Sequence, residues 1–289
     1  MRAALLCLLL AGGLVAGCAS EQTAAPSPTP QPVDSGPLDL VPAPVPSAVS
    51  SPTTTTPAWQ VGASPLPLRA DGYGQVLTTP AVLRDRKLPT ADVLPPPADG
   101  AFAATIARVT PEIRTRMGST WSPRCPVSLD QLRYLTVSFR GFDGRSHTGE
   151  LVVARRVAQD VIGVFRMLYA DGFPIEEMRL PTSADLTAAP TGDGNNTAGY
   201  VCRAARGQKR FSAHAYGISV DVNPFNNPYV KRDLVLPELA SAYADRDSAR
   251  PGMFLTDSTA VRAFTAIGWT WGGTYRSSKD YMHFSLSGL

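Results

Sequence analysis

Helical periodicity predicts three helices in the last two thirds of the chain. In the longest, apolar residues recur every three to four positions up to Asp171-Gly172. A short helix is predicted over residues 111–117, because Thr110 can cap its N-terminus and Pro111 suits the first helical position. Another short helix is predicted over residues 257–267, ending before Gly268. The apolar face of the longest helix consists of Val157, Val161, Val164, Phe165 and Leu168.

Runs of β-branched and aromatic residues predict the strands. Residues 132–140 and 148–154 flank Gly141-Phe142-Asp143-Gly144, which indicates a β-hairpin. A further strand is predicted over residues 175–180, and two short aromatic segments lie at residues 269–271 and 281–286. Because helices and strands do not alternate regularly, the fold class expected is α+β, a small antiparallel sheet with helices on one face, in a domain spanning residues 101–289.

The N-terminus has the pattern of an export signal. Residues 1–17 combine a positive start with an apolar stretch that is short for a membrane-spanning helix. Val15-Ala16-Gly17-Cys18 is typical of a bacterial lipobox, so Cys18 is the expected lipidation site; ordinary secretory cleavage is the alternative. We therefore expect an exported lipoprotein on the outer face of the cell membrane, with the lipid as its only membrane attachment.

The segment after the expected signal peptide predicts a tether. Residues 19–68 contain 12 prolines and three charged residues, a composition that buries too little apolar surface to offset the conformational entropy of ordering. Residues 18–68 are thus interpreted as lipid anchor and disordered tether. Residues 69–100 are also irregular and are interpreted as an extended arm lying on the domain.

Charge and cysteine content narrow the possible functions. A net charge of +3 without a basic stripe argues against nucleic acid as a partner. We also expect the protein to be a monomer. Outside the signal peptide and Cys18, the cysteines are Cys125 and Cys202, which we expect to form a disulfide in an oxidising compartment. Two buried free thiols are the alternative. Neither cysteine lies in a CxxC pair, which excludes a zinc ribbon.

Two of the three histidines lie in segments dense in polar residues. His214 is followed by Asp221, and Asp280 precedes His283. Two imidazoles and a carboxylate are typical ligands of a catalytic zinc ion, and a further carboxylate can act as general base. The alternative is a pair of core histidines with aspartates that cap turns. The third histidine, His147, lies in the predicted hairpin turn and is interpreted as a solvated loop residue.

Together these segments resemble the zinc peptidases of the D-alanyl-D-alanine carboxypeptidase family, which are relatives of L-alanoyl-D-glutamate endopeptidases. The pattern is Ser-x-His-x-x-Gly-x-Ala-x-Asp, then Asp-x-x-His; the matching residues are Ser212, His214, Gly217, Asp221, Asp280 and His283. Asn223-Pro224 and Trp271-Gly272-Gly273 also resemble the endopeptidase branch, whereas Ser219 replaces the usual alanine. The resemblance spans roughly residues 120–289 and implies a hedgehog/D-alanyl-D-alanine-peptidase-like fold.

The resemblance also implies roles for individual residues. His214, Asp221 and His283 would bind Zn²⁺, and Asp280 would be the general base. Arg203, in the segment where relatives carry an arginine, would bind a substrate carboxylate, with Ser212 as a second substrate-binding residue. A surface arginine packed on its neighbour is the alternative for Arg203.

The expected function is a zinc-dependent peptidase that hydrolyses peptidoglycan stem peptides. Both a D,D-carboxypeptidase and an L-Ala-D-Glu-type endopeptidase fit the pattern. One alternative is a non-catalytic cell-wall-binding module that retains the peptidase fold. Another is a structural envelope protein that works through its proline-rich segment.

Overall fold

A β-hairpin of two nine-residue strands and the helix that follows it support the larger hydrophobic core of the computed structural model. The structure describes residues 59–205 and 208–288. The predicted signal peptide, Cys18 and the tether up to residue 58 lie outside the described residues. Within them, none of the helices is long and apolar enough to cross a membrane.

The regular elements are short and lie between long irregular connections. The α-helices are α1 (Pro111–Met117), α2 (Ala158–Ala170), α3 (Ser183–Thr187) and α4 (Thr259–Ala266). The strands are β1 (Ala104–Ala107), β2 (Leu132–Arg140), β3 (Ser146–Ala154), β4 (Ser219–Asp221), β5 (Tyr229–Lys231), β6 (Leu234–Leu236), β7 (Thr270–Trp271), β8 (Lys279–Asp280) and β9 (His283–Ser285).

The first sheet has the order β1-β2-β3 and is antiparallel. The hairpin pairs Leu132 with Ala154 at one end and Arg140 with Ser146 at the other. Helix α2 packs against β2 and buries the apolar face that the sequence predicts. The predicted hairpin and the predicted long helix are therefore confirmed.

The other two sheets bring distant parts of the sequence together. Strands β4, β9 and β7 form one antiparallel sheet, and β6, β5 and β8 form the other. In the former, Asp221 lies directly opposite His283; in the latter, Asp280 lies opposite Tyr229. The α+β class is confirmed, but the described residues form three small sheets where the sequence predicts one.

The predicted strand over residues 175–180 is wrong. Here the backbone makes only isolated contacts: Glu177 bridges to Asn196, and the Met178 carbonyl accepts a hydrogen bond from the Glu150 amide of β3. The apolar side chains of this segment are nevertheless buried, beside a buried Glu176. Burial without strand pairing explains why the apolar pattern was misleading.

The segment before β1 makes a second hydrophobic cluster with the C-terminal half of the chain. Leu83 is completely buried there, in a cluster that includes Phe225 and Tyr243. Next to it, Arg86 is 1% exposed and pairs with Glu176 through two nitrogen–oxygen contacts of 2.6 Å. Residues 69–100 were expected to lie on the domain as an extended arm. The structure shows that this segment buries the charged side chain of Arg86 inside the domain.

His147 is a correction to the sequence analysis. It lies within β3, is 1% exposed and stacks on Phe139, so it is not a solvated loop residue. Its Nδ1 lies 2.8 Å from a carboxylate oxygen of Asp92, and its Nε2 lies 3.2 Å from one of Asp143. Asp92 lies in the segment before β1, so the local hairpin pattern gives no sign of its contact with His147.

The structure contains the disulfide between Cys125 and Cys202. It closes a loop with a sequence separation of 77 residues, and in a chain-entropy description such a bridge stabilises the fold by about 4 kcal/mol. Cys202 directly precedes Arg203, so the bridge also anchors the segment that enters the candidate site.

Candidate active site

One cavity of about 490 Å³ gathers all the residues that the sequence singled out for chemistry or substrate binding. Its lining includes Arg203, Ser212, His214, Asp221, Asp280 and His283. They come from a loop, a 3₁₀ turn and three strands that belong to two different sheets. Convergence of residues that lie up to 80 positions apart in the sequence identifies this cavity as the candidate active site.

Three of these side chains converge on one point. His214, Asp221 and His283 each offer a ligand atom, and these atoms lie within 4.8 Å of one another. His214 Nε2 is 3.1 Å from Asp221 Oδ2, and His283 Nδ1 is 2.8 Å from Asp221 Oδ1. The two imidazole nitrogens are 3.3 Å apart. The three residues therefore form a candidate metal site, in which both histidines are buried.

The turn that carries His214 is shaped by a glycine. Residues Ala213–Tyr216 form a 3₁₀ turn that ends at Gly217, whose φ is +65°. A Cβ atom on Gly217 would lie 2.6 Å from the backbone nitrogen of Ala154, so a side chain has no room there. The left-handed conformation redirects the chain into β4, which carries Asp221.

A backbone carbonyl fixes the orientation of His214. The Gly199 carbonyl oxygen lies 2.6 Å from His214 Nδ1, the distance of a hydrogen bond donated by the ring. That contact directs Nε2 towards Asp221 and His283. Hydrogen bonds of this kind are typical of histidines that bind metal ions, because they set the tautomer and the ring direction.

Asp221 is held in its ionised form. Burial raises the pKa of its carboxyl group, but the two neighbouring histidines lower it, and the net result is a pKa well below the usual range. Its backbone is fixed by mutual hydrogen bonds of 2.9 Å with Ala198. The site thus presents a fixed carboxylate beside two imidazoles.

Asp280 lines the same cavity but lies outside the group of three candidate ligands. It is half-buried at the end of β8, and β8 is held by pairing with β5. On its other side, Gly272 packs so closely that an added Cβ would lie 2.4 Å from the Asp280 carbonyl oxygen. A carboxylate beside the candidate metal site can act as a proton acceptor.

Gly272 offers a test of how accurately Asp280 must be placed. Gly272→Ala should displace β8 and lower kcat/KM by about 10-fold or more, since small misplacements of a catalytic group are costly. Gly194→Ala is the control, because a Cβ there meets nothing within 4 Å. Metal content and steady-state kinetics of both variants are the measurements. Unchanged kinetics for Gly272→Ala would show that this packing does not position Asp280.

Arg203 and Ser212 are neighbours across a tight loop. The Ser212 amide donates a hydrogen bond of 3.1 Å to the Arg203 carbonyl oxygen. Ser212 is 9% exposed, and Arg203 is half-buried. The structure thus brings both to the cavity, and their roles in substrate binding stay predictions.

Two residues of the cavity were missed by the sequence analysis. Burial, together with Asp280 and Asp221, raises the pKa of Tyr275, although a contact with Ser285 lowers it, so the phenol stays protonated near neutral pH. Arg210 lines the cavity as well. The position of Arg210 two residues before Ser212 was the only available signal, and nothing local distinguished Tyr275 from other aromatic residues.

Comparison with known sequences agrees with this site. The sequence model of the D-alanyl-D-alanine carboxypeptidase family matches residues 206–286. The matched stretch contains the three candidate metal ligands and Asp280. No curated protein and no solved structure matches the chain.

Proposed function

We propose that the chain is a zinc peptidase acting on peptidoglycan stem peptides. The match of residues 206–286 to the D-alanyl-D-alanine carboxypeptidase family supports this proposal. The observation that carries the proposal is the convergence of His214, Asp221 and His283 in one cavity with Asp280. A binding module without catalysis would not need a second carboxylate, that of Asp280, beside a complete ligand set.

The donor set fits zinc. Two imidazole nitrogens and one carboxylate oxygen are ligands that zinc prefers, and three protein ligands are typical of catalytic rather than structural zinc sites. The ionised state of Asp221 and the Gly199 contact of His214 prepare both side chains for a cation. When bound there, zinc would supply Lewis acidity to a water molecule and to the scissile carbonyl group.

Asp280 is the general base in this proposal. Its carboxylate would accept a proton from the attacking water and pass it to the nitrogen of the leaving amine. The walls of the cavity would hold the peptide beside Asp280. Pairing of β8 with β5 limits the movement of the Asp280 backbone. Proton transfer by a positioned side chain contributes about 100-fold to 10,000-fold in rate.

Arg203 is the proposed anchor for a substrate carboxylate, and a charge-conserving change tests it. Arg203→Lys should lower kcat/KM by about 10-fold to 100-fold, because an ammonium group cannot reproduce the paired donors of a guanidinium. Metal content and Tm should stay near the values of the unchanged protein. Arg276→Lys, an exposed arginine outside the cavity lining, is the control. A variant that loses stability instead would assign Arg203 to the fold.

We further propose that the protein acts in the cell envelope. Export, lipidation at Cys18 and a proline-rich tether would hold the peptidase at the outer face of the membrane, within reach of the cell wall. Radiolabelled fatty acid incorporated by the unchanged chain but not by Cys18→Ala would support this anchor; equal labelling of both would contradict it.

Digestion of muropeptides is the test of the proposed activity. The zinc-loaded protein is incubated with purified muropeptides, and the products are identified by mass spectrometry. Loss of a terminal D-alanine would indicate a D,D-carboxypeptidase, whereas cleavage after L-alanine would indicate an endopeptidase. Binding of muropeptides without any cleavage, at one zinc ion per chain, would favour the wall-binding module.

A further inference from the structure

The loop that enters the candidate site is a short two-stranded ribbon. Ala204 and Phe211 form an antiparallel bridge, and the Ala205 amide donates to the Arg210 carbonyl oxygen at 2.9 Å. The hydrogen bond from Ser212 to Arg203 closes the ribbon at its other end. These contacts set the register of the loop between residues 203 and 212.

This register places two arginines on one face of the ribbon. Residues directly opposite each other in an antiparallel pair share a face, and so do residues two positions apart along each strand. Arg203 is opposite Ser212, and Ala205 is opposite Arg210, so all four belong to the same face. All four line the cavity, as does Phe211 from the other face, so this part of the ribbon borders the candidate active site.

The charge of the cavity favours a substrate with more than one negative charge. Among its described lining residues, the cationic side chains are Arg203 and Arg210, and the carboxylates are Asp221 and Asp280. A divalent ion at the candidate metal site would balance the two carboxylates. The two guanidinium groups would then leave the cavity with a net charge of about +2.

Arg210 is held in place by a neighbour. Its Nε donates a hydrogen bond to the side-chain oxygen of Gln208, another residue of the cavity lining. The sequence from 203 to 210 contains no acidic residue that could neutralise the arginines from within the loop. A guanidinium group presents paired donors that match the two oxygens of a carboxylate.

We propose that Arg203 and Arg210 form a two-arginine clamp that selects peptides carrying two carboxylates. The inference rests on the proposed function for the identity of the site as a peptidase centre. It adds Arg210 as a specificity-determining residue and defines the preferred substrate as a doubly anionic peptide. Each arginine binds one carboxylate, so amidation of either carboxylate weakens recognition.

Four synthetic peptides test the clamp. The parent is L-Ala-D-Glu-L-Lys-D-Ala-D-Ala with a free C-terminus; the other three carry D-glutamine in place of D-glutamate, a C-terminal amide, or both. The unchanged protein should prefer the parent over each singly amidated peptide by about 10-fold in kcat/KM. In Arg210→Gln, the preference for one of the two carboxylates should fall to about 1, while the preference for the other stays.

Lys209→Gln is the matched control, because Lys209 is an exposed cation of the same loop outside the cavity lining. It should keep both preferences. If both variants reduce the preferences equally, the loop acts through its overall charge and the clamp is wrong. Equal use of all four peptides by the unchanged protein would also overturn the proposal.

A failure of the proposed clamp can be distinguished from a failure of the proposed peptidase function. If the zinc-loaded protein cleaves none of the peptides, the peptidase function fails, and the uncleaved peptides are then titrated into the same protein by calorimetry. The clamp still requires tighter binding of the parent than of the singly amidated peptides, by about 10-fold in Kd, and loss of one preference in Arg210→Gln. Absent or equal binding would overturn the clamp as well.

Discussion

Asp280→Ala should lower the kcat of muropeptide hydrolysis by about 100-fold or more while the protein keeps one zinc ion per chain. The expectation follows from the position of Asp280, which lines the cavity but lies outside the three candidate ligands. Removing the carboxylate removes the acceptor for the proton of the attacking water and leaves the ligand set intact. Metal analysis and steady-state kinetics on the same preparation give both readouts.

Two further variants make the result for Asp280 specific. Asp247→Ala, an exposed aspartate outside the cavity lining, should keep full activity and full zinc content. His214→Ala should lose both activity and zinc. Loss of zinc from Asp280→Ala would show that Asp280 is a ligand, and retention of full activity would show that another group accepts the proton.

Arg86→Ala should lower the free energy of unfolding by about 3–5 kcal/mol, the usual cost of leaving one partner of a buried ion pair without the other. Arg86 is fully buried, contacts both carboxylate oxygens of Glu176 and stacks over Phe225 at 4.3 Å. Asn195 donates a further hydrogen bond of 2.8 Å to the same carboxylate. Urea-induced unfolding measures the change.

Lys87→Ala is the control for Arg86. Its ion pair with Asp85 lies at the surface, where such pairs contribute little, so its unfolding midpoint should stay close to that of the unchanged protein. The double variant Arg86→Met/Glu176→Leu should recover much of the loss, because no buried charge is left alone. If Arg86→Ala unfolds like the unchanged protein, residues before β1 are not part of the folded unit.

The contacts of Arg86 also affect how the tether can be tested. A deletion that extends through residues 69–100 would remove Arg86 and Leu83, which is completely buried. Lost activity would then report a damaged fold. Deletion of residues 19–58 leaves these contacts in place and tests the tether alone.

Local sequence patterns predicted the elements that depend on local interactions. The β2–β3 hairpin followed from two β-branched runs around a glycine-rich turn, and α2 from its apolar periodicity. The same patterns failed where distant residues decide the outcome. His147 is buried and contacts Asp92 from the segment before β1, and residues 175–180 are buried without pairing as a strand.

The candidate metal ligands could be named from the sequence because their residue types and spacing match the pattern of the family that the chain resembles. The structure adds the reason that they meet: β4 and β9 are paired so that Asp221 lies opposite His283. Arg210 could not be found in this way, because its position at the cavity depends on the register of the 203–212 ribbon. Tyr275 likewise depends on how the chain folds back between β7 and β8.

The most direct test is the zinc content of the purified unchanged protein beside His214→Ala and His283→Ala, measured after equilibration with zinc and removal of the excess. One zinc ion per chain is expected in the unchanged protein, and far less than one in each variant, with folding checked by circular dichroism. An unchanged protein that retains no zinc, or folded histidine variants that retain a full equivalent, would contradict the assignment of His214, Asp221 and His283 as the metal centre.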